Sequence, residues 1–211
     1  MDIVTHGMMG LALAGPYLGE HPWGACGFVL GSVLPDLDAL SRCGGKSAFL
    51  RNHQGWTHSF LIILTGSILS YWGLRMVAFE FSGAAIGLGL GALLHSFLDL
   101  TNTFGVRAFA PFSSRRYCWE WLFFIDAFII GITVPTAIYV LLSISQPEWE
   151  SKRVAMVYGA ILAGYVLGRG VMRWRIARRF PPGTERRSHP HYGPGNISCA
   201  CGAGMRSAIF D

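Results

Sequence analysis

Four short stretches of the chain carry histidines and carboxylates at spacings that suit metal ligation. They are Thr5-His6-Gly7, Leu34-Pro35-Asp36-Leu37-Asp38, His53-Gln54-Gly55-Trp56-Thr57-His58-Ser59 and His95-Ser96-Phe97-Leu98-Asp99. His95 and Asp99 are four apart at the end of an apolar run, so on a helix they share a face, one turn apart. An imidazole and a carboxylate so placed can grip one divalent ion, as paired histidines do on H-E-x-x-H helices. A plain His–Asp hydrogen bond is the structural alternative. His53 and His58 flank Gly55, which permits a tight turn. Two neutral imidazoles suit zinc, iron, nickel or manganese, the alternative being a pair of solvated interfacial histidines. Asp36 and Asp38 follow Pro35, and paired acids there offer oxygen ligands or simply a solvated loop. His6 interrupts an apolar run, where an ionisable side chain is expensive and usually functional.

The elements that must position these motifs are membrane helices. The chain has 211 residues, of which 52% are hydrophobic and only 14% charged, with a mean hydropathy of +0.40. A soluble domain carries about 25% charged residues. The charges lie between or after long uncharged runs: Thr57 to Leu74, Phe81 to Leu98, Trp121 to Ile144 with only Asp126 inside, and Val154 to Leu167, extendable to Trp174. Each fits a hydrocarbon core about 30 Å thick and must be helical there, because lipid offers the backbone no hydrogen bonds. Two shorter runs, Ile3 to Leu18 and Gly24 to Leu34, are broken by Gly19-Glu20-His21-Pro22-Trp23 and read as a helical hairpin. The expected fold is therefore all-α, a polytopic membrane protein with five or six transmembrane helices. Residues 1–179 would form the embedded domain, and 180–211 a disordered, basic, Gly/Pro-rich cytoplasmic tail.

Charge bias sets the expected orientation. Arg42, Lys46 and Arg51, then Arg107, Arg115 and Arg116, then the Arg169 to Arg187 cluster fall on one side if every run spans once. The positive-inside rule makes that side cytoplasmic, with Arg75, Lys152 and Arg153 as mild exceptions. A hairpin over residues 3–34 returns His6 to the side of Asp36, and His53, His58, His95 and Asp99 are expected there too. All four motifs then meet at the cytoplasmic end of the bundle. Metal ligands drawn from His6, Asp36, Asp38, His53, His58, His95 and Asp99 could hold one or two divalent ions, zinc or another transition metal. Such ions acidify water and stabilise a leaving oxygen. The matching activity is hydrolysis of an ester or phosphoester at the membrane interface, with Asp36, Asp38 and Asp99 as candidate catalytic carboxylates. Arg115 and Arg116 could hold an anionic lipid phosphate or be topogenic charge. Asp126 could orient a ligand histidine or make a helix contact.

The net charge of +5 does not point to nucleic acid, because much of it is the one C-terminal arginine run. Five cysteines, an odd number with no C-x-x-C pair, argue against a disulfide framework. Asp2 stands where a signal peptide would be basic. His189 and His191 in the tail read as solvated. Two rival functions remain open: a metal-ion transporter or channel, and a membrane scaffold that recruits a cytoplasmic protein partner.

Taken together, Thr5-His6, Leu34-Pro35-Asp36-Leu37-Asp38, Gly55-Trp56-Thr57-His58-Ser59 and His95-x-x-x-Asp99 resemble the YdjM-type inner-membrane proteins. Pro111-Phe112-Ser113 through Arg115, Arg116 and Trp119, then Ile125-Asp126, resemble that family's later motif. The resemblance covers about residues 1–130. It implies a multi-pass protein of the bacterial inner membrane and a metal-dependent hydrolase activity. Phospholipid substrates and, in one branch, binding to the repressor LexA have been suggested.

Overall fold

The computed structural model describes residues 1–44, 55–143, 148–179 and 197–199. It is mostly helical. The helices are α1 Ile3–Ala14, α2 Pro22–Gly31, α3 Phe60–Val77, α4 Ser82–Leu100, α5 Ala127–Leu142 and α6 Glu148–Arg179. Short 3-10 segments lie at Gly15–Tyr17, Leu34–Gly44, Trp56–His58 and Phe79–Phe81. Arg116–Cys118 (β1) pairs in parallel with Ile197–Cys199 (β2).

Helix ends follow the local chemistry. Asp2 caps α1 by accepting from Thr5 N at 2.9 Å, and Pro22 opens α2, where its missing N–H is no loss. Ser59 caps α3, which therefore starts at Phe60 rather than at Thr57. Asp126 accepts from Phe128 N and Ile129 N at 3.1 and 3.2 Å. The helix expected from Trp121 accordingly begins only at Ala127, and Asp126 stands at its N-terminus instead of inside it. Arg178 and Arg179 close α6, where positive charge suits the helix dipole.

Three stretches are long and apolar enough to cross a membrane: Phe60–Val77, Phe79–Leu100 and Trp149–Arg179. α1, α2 and α5 are apolar but shorter, at 12, 10 and 16 residues. α3 lies at the periphery. Ile63 is its one buried residue, while Leu69, Trp72, Met76 and Val77 are exposed. An apolar helix presented almost all round is what a lipid-facing helix requires.

The tightest packing joins α2 to α4, and glycine makes it possible. A Cβ at Gly27 would lie 2.2 Å from Ala84 O, at Gly31 2.1 Å from Leu88 O, and at Gly87 2.0 Å from Gly24 O. Small residues one turn apart on both helices let the backbones touch, which is how helices associate where lipid removes the hydrophobic drive. On the other side, α1 packs with α5 and α6 through Met9, Ala12, Ile129, Ala137, Tyr158, Leu162 and Val166. Among the polar contacts, Lys152 pairs with Glu20 at 2.6 Å near the α1–α2 turn. At the other end of α6, Arg173 meets Glu120 at 2.7 Å and Arg169 donates to Trp121 O at 3.1 Å.

Against the expectation from cysteine count, Cys118 is disulfide-bonded. Cys26 and Cys43 are free. The disordered tail expected over 180–211 lies outside the described residues except for Ile197–Cys199.

Candidate metal centre

The start of α1, the end of α2, the start of α3 and the end of α4 meet at one end of the bundle. The hairpin of α1 and α2 brings His6 and Asp36 to that end, as the break at Gly19 to Trp23 predicts. His95 and Asp99 project from the last turns of α4, and His58 from the turn just before α3. Asp36 comes from the 3-10 segment that follows α2.

Four ligand atoms converge. His58 Nε2 lies 3.2 Å from His95 Nε2, 3.4 Å from Asp99 Oδ2 and 3.8 Å from Asp36 Oδ1. His95 Nε2 lies 3.4 Å from Asp36 Oδ1 and 3.7 Å from Asp99 Oδ2. All four atoms fall within 4.8 Å of one another. Ligands about 2.0–2.1 Å from a tetrahedral ion are about 3.3 Å apart, and the five separations of 3.2–3.8 Å are close to that. Two imidazole nitrogens and two carboxylate oxygens suit zinc, iron or manganese. The residues present therefore fit a divalent transition metal.

Neighbouring groups hold each ligand in the orientation that coordination requires. His95 Nδ1 lies 2.7 Å from Ser32 O, a contact only an Nδ1–H can satisfy, which leaves the Nε2 lone pair facing the cluster. His58 Nδ1 faces Asp38 Oδ2 at 3.5 Å and Thr57 Oγ1 at 3.0 Å, and Thr57 donates to Asp38 at 2.7 Å. Asp38 thus stands behind His58, outside the four converging atoms, where a carboxylate fixes the ring and raises its basicity. His6 Nε2 lies 3.2 Å from the other Asp99 oxygen, and its ring stacks on His95 with centroids 3.8 Å apart. The terminal amine of Met1 meets the same Asp99 oxygen.

His58, His95 and Asp99 are fully buried, and of the four only Asp36 shows surface, at 7%. Burial opposes charge on these groups, yet the cluster holds it. Burial would lower the His58 imidazole, but Asp36, Asp38 and Asp99 around it push it up to about 10. Burial would raise the Asp36 carboxyl, but His58 and His95 hold it well below the usual carboxylate range.

The other expected residues separate. His53 lies outside the described residues. Asp126 meets no histidine; it caps α5 and accepts from Tyr165 OH at 2.9 Å. Arg115 N is bonded to Ser113 Oγ at 3.2 Å, and Arg116 Nη1 donates to Gly105 O at 3.3 Å. Two residues that motif spacing passed over carry buried polar atoms without a hydrogen-bond partner among the described residues. Asn102 is fully buried one turn beyond Asp99, and its Nδ2 has no partner. Arg107 has a buried, unpartnered Nε.

A family model described as YdjM inner membrane protein matches residues 1–176. The chain belongs to that family. It is also 31% identical over 192 residues to the "Uncharacterized protein YfhP" of Bacillus subtilis (strain 168), an alignment covering 85% of this chain and 57% of the relative. The chain thus spans little more than half the length of that relative. No solved structure matches it. The motifs that carry the resemblance are the ones that build the cluster: Thr5-His6, Asp36 and Asp38, Thr57-His58, and His95 with Asp99.

Proposed function

We propose that this family member is a membrane-bound, metal-dependent hydrolase acting on an ester or phosphoester at the cytoplasmic face. The observation that carries the reading is the set of four ligand atoms at coordination-shell spacing, each backed by an orienting group. A divalent ion held there would acidify a water and stabilise a leaving oxygen.

The roles of the chain's own residues follow from their placement. His58, His95, Asp36 and Asp99 would hold the ion. Asp38 and Ser32 O fix the two rings from behind, and His6 holds the far oxygen of Asp99 so that Oδ2 faces the centre. Asp36, the one of the four with exposed surface, would be the ligand that an incoming water meets first. A second ion would use His6 and the outer Asp99 oxygen.

The location is argued from charge. Arg169 and Arg173 bind the segment that follows α4, so the basic end of α6 lies at the same end as the cluster. Basic flanks remain cytoplasmic. A reporter fused after Asp211 is expected to be active only in the cytoplasm.

The deciding experiment is metal analysis of the purified protein, followed by chelator-sensitive turnover of a panel of carboxylic esters and phosphoesters. Bound transition metal with hydrolysis lost on chelation supports the reading. A metal-loaded protein that is inert across the panel refutes it. Metal flux in vesicles without hydrolysis would establish the transporter instead.

A further inference from the structure

α5 and α6 leave a cleft of about 480 Å³ between them, at the end of the bundle away from the metal cluster. Its place follows from the course of α6. Arg169 and Arg173 near its end bind the segment after α4, beside the cluster. The first turns therefore lie at the other end, where Lys152 pairs with Glu20 of the α1–α2 turn. Two residues open the cleft on the α5 side. Gly131 has no side chain, and a Cβ there would meet nothing within 4 Å beyond its own stretch of helix. Pro135, one turn on, adds only its ring and has no N–H to give Gly131 O. Beside the cleft the two helices are held by buried hydroxyls, Thr133 Oγ1 and Tyr158 OH, 2.8 Å apart. The gap is thus a fixed feature of the pair.

On the α6 side, Trp149, Arg153, Val157 and Ile161 line the cleft. They are four apart and so form one stripe along the helix. The stripe changes character along its length, aromatic and cationic at the start and aliphatic beyond. From Trp149 to Ile161 it runs about 18 Å at 1.5 Å per residue. That is close to one leaflet's share of a hydrocarbon core about 30 Å thick. Glu150 also lines the charged end. The side chains of Glu150 and Arg153 make no ion pair or hydrogen bond with other described residues, whereas Lys152 between them is engaged by Glu20. A helix about 10 Å across would displace about 1,400 Å³ over this length, roughly three times the cleft. A single alkyl chain needs far less.

We propose that this cleft is a binding site for a phospholipid with a zwitterionic, primary-ammonium headgroup. One acyl chain lies along Gly131, Pro135, Val157 and Ile161. Arg153 donates to the phosphate oxygens, and Glu150 accepts from the ammonium. A guanidinium binds phosphate through charge-assisted, directional hydrogen bonds. The carboxylate one turn away adds a preference for a headgroup that carries a cation as well. Trp149 stands at the charged end, where indole rings favour the boundary between headgroups and hydrocarbon. The lipid is held away from the cluster, so it is a resident of the fold and not a substrate, and the site is independent of the hydrolase reading.

The test uses the full chain, delipidated in detergent, with phosphatidylethanolamine and phosphatidylglycerol of matched acyl chains as probes and native mass spectrometry as the readout. Wild type should bind a single phosphatidylethanolamine about tenfold more tightly than phosphatidylglycerol. Arg153→Gln should weaken both lipids about tenfold, the usual worth of a hydrogen bond to a charged group. Glu150→Gln should erase the preference between them. Gly131→Leu should weaken both by filling the cleft, at unchanged melting temperature, since the new side chain has room. Gly164→Leu, equally unobstructed on α6 but outside the cleft, should behave as wild type. Metal content should be the same in all four variants. Equal binding by wild type, Arg153→Gln and Gly131→Leu overturns the site. So does an equal loss in Gly131→Leu and Gly164→Leu, which marks lipid that merely coats the helices. If Gly131→Leu lowers the melting temperature, the surface change Arg153→Gln decides alone. Equal affinity of wild type for the two lipids refutes the headgroup assignment. A changed oligomeric state in Gly131→Leu with lipid binding untouched gives the cleft to a second copy of the chain and overturns the lipid.

Discussion

Zinc should bind this protein more tightly as pH rises, by about tenfold per pH unit between roughly pH 6.5 and 8.5. The cause is His58, which sits in the turn before α3 against Asp36, Asp38 and Asp99. Those contacts push its imidazole up to about 10, so without metal it carries a proton throughout this range. An ion must displace that proton to reach Nε2. At pH 7 the displacement costs about 4 kcal/mol, from about three pH units at 1.36 kcal/mol each. The gap narrows by one unit for each unit of pH, which fixes the slope at one proton per ion. The assay is a competition titration against a chelator of known zinc affinity, corrected at each pH for the chelator's own protonation. Calorimetry in buffers of different ionisation enthalpy gives the proton count independently. The ion-free protein is expected to show the opposite trend. A histidine whose folded pKa is raised stabilises the fold fully below its unfolded value of about 6.5, and that contribution fades as pH climbs toward 10. The melting temperature without metal should therefore fall over this interval, while the zinc-loaded protein resists the fall. A flat affinity profile, or zinc binding without proton release, would refute the view of His58 as a protonated ligand trapped among carboxylates.

Three substitutions probe the remaining parts. His95→Ala should abolish bound metal and hydrolysis while the protein still inserts, because His95 contributes nothing to the lipid-facing surface; retained metal, measured by mass spectrometry, would count against the four-atom site. Gly27→Val should part α2 from α4, since even a Cβ there would sit 2.2 Å from Ala84 O, and overpacking of this kind costs about 1–3 kcal/mol or more; thermal unfolding and metal content should fall together, and unchanged values would refute the close approach. Asp126→Ala should lower stability by about 1 kcal/mol, the usual worth of an N-cap, yet leave metal binding intact; loss of metal on this change would restore Asp126 to the site.

Much of this architecture is legible in the sequence because lipid simplifies the physics. A run such as Phe81 to Leu98 has to be helical, and once it is helical His95 and Asp99 have to share a face. The break from Gly19 to Trp23 turns the first two helices into a hairpin, which by itself brings His6 to Asp36. The α2–α4 seam is equally present as glycines one turn apart. What composition hides is where a helix begins when a polar residue can either sit inside it or cap it. Asp126 looks like a charge within a span, yet its oxygens are worth more satisfying the first free N–H groups of α5.

The division of labour between Asp36 and Asp38 is hidden for a different reason. Both follow Pro35, and spacing alone makes them equivalent ligands. Only the packing of Thr57 against Asp38 separates them, aiming one carboxylate at the centre and the other at the back of His58. The deciding contact joins residues far apart in the chain, Asp38 with Thr57 and His58. Local motifs therefore name the candidate metal ligands, but the groups that orient them emerge only where distant segments are packed onto the end of the bundle.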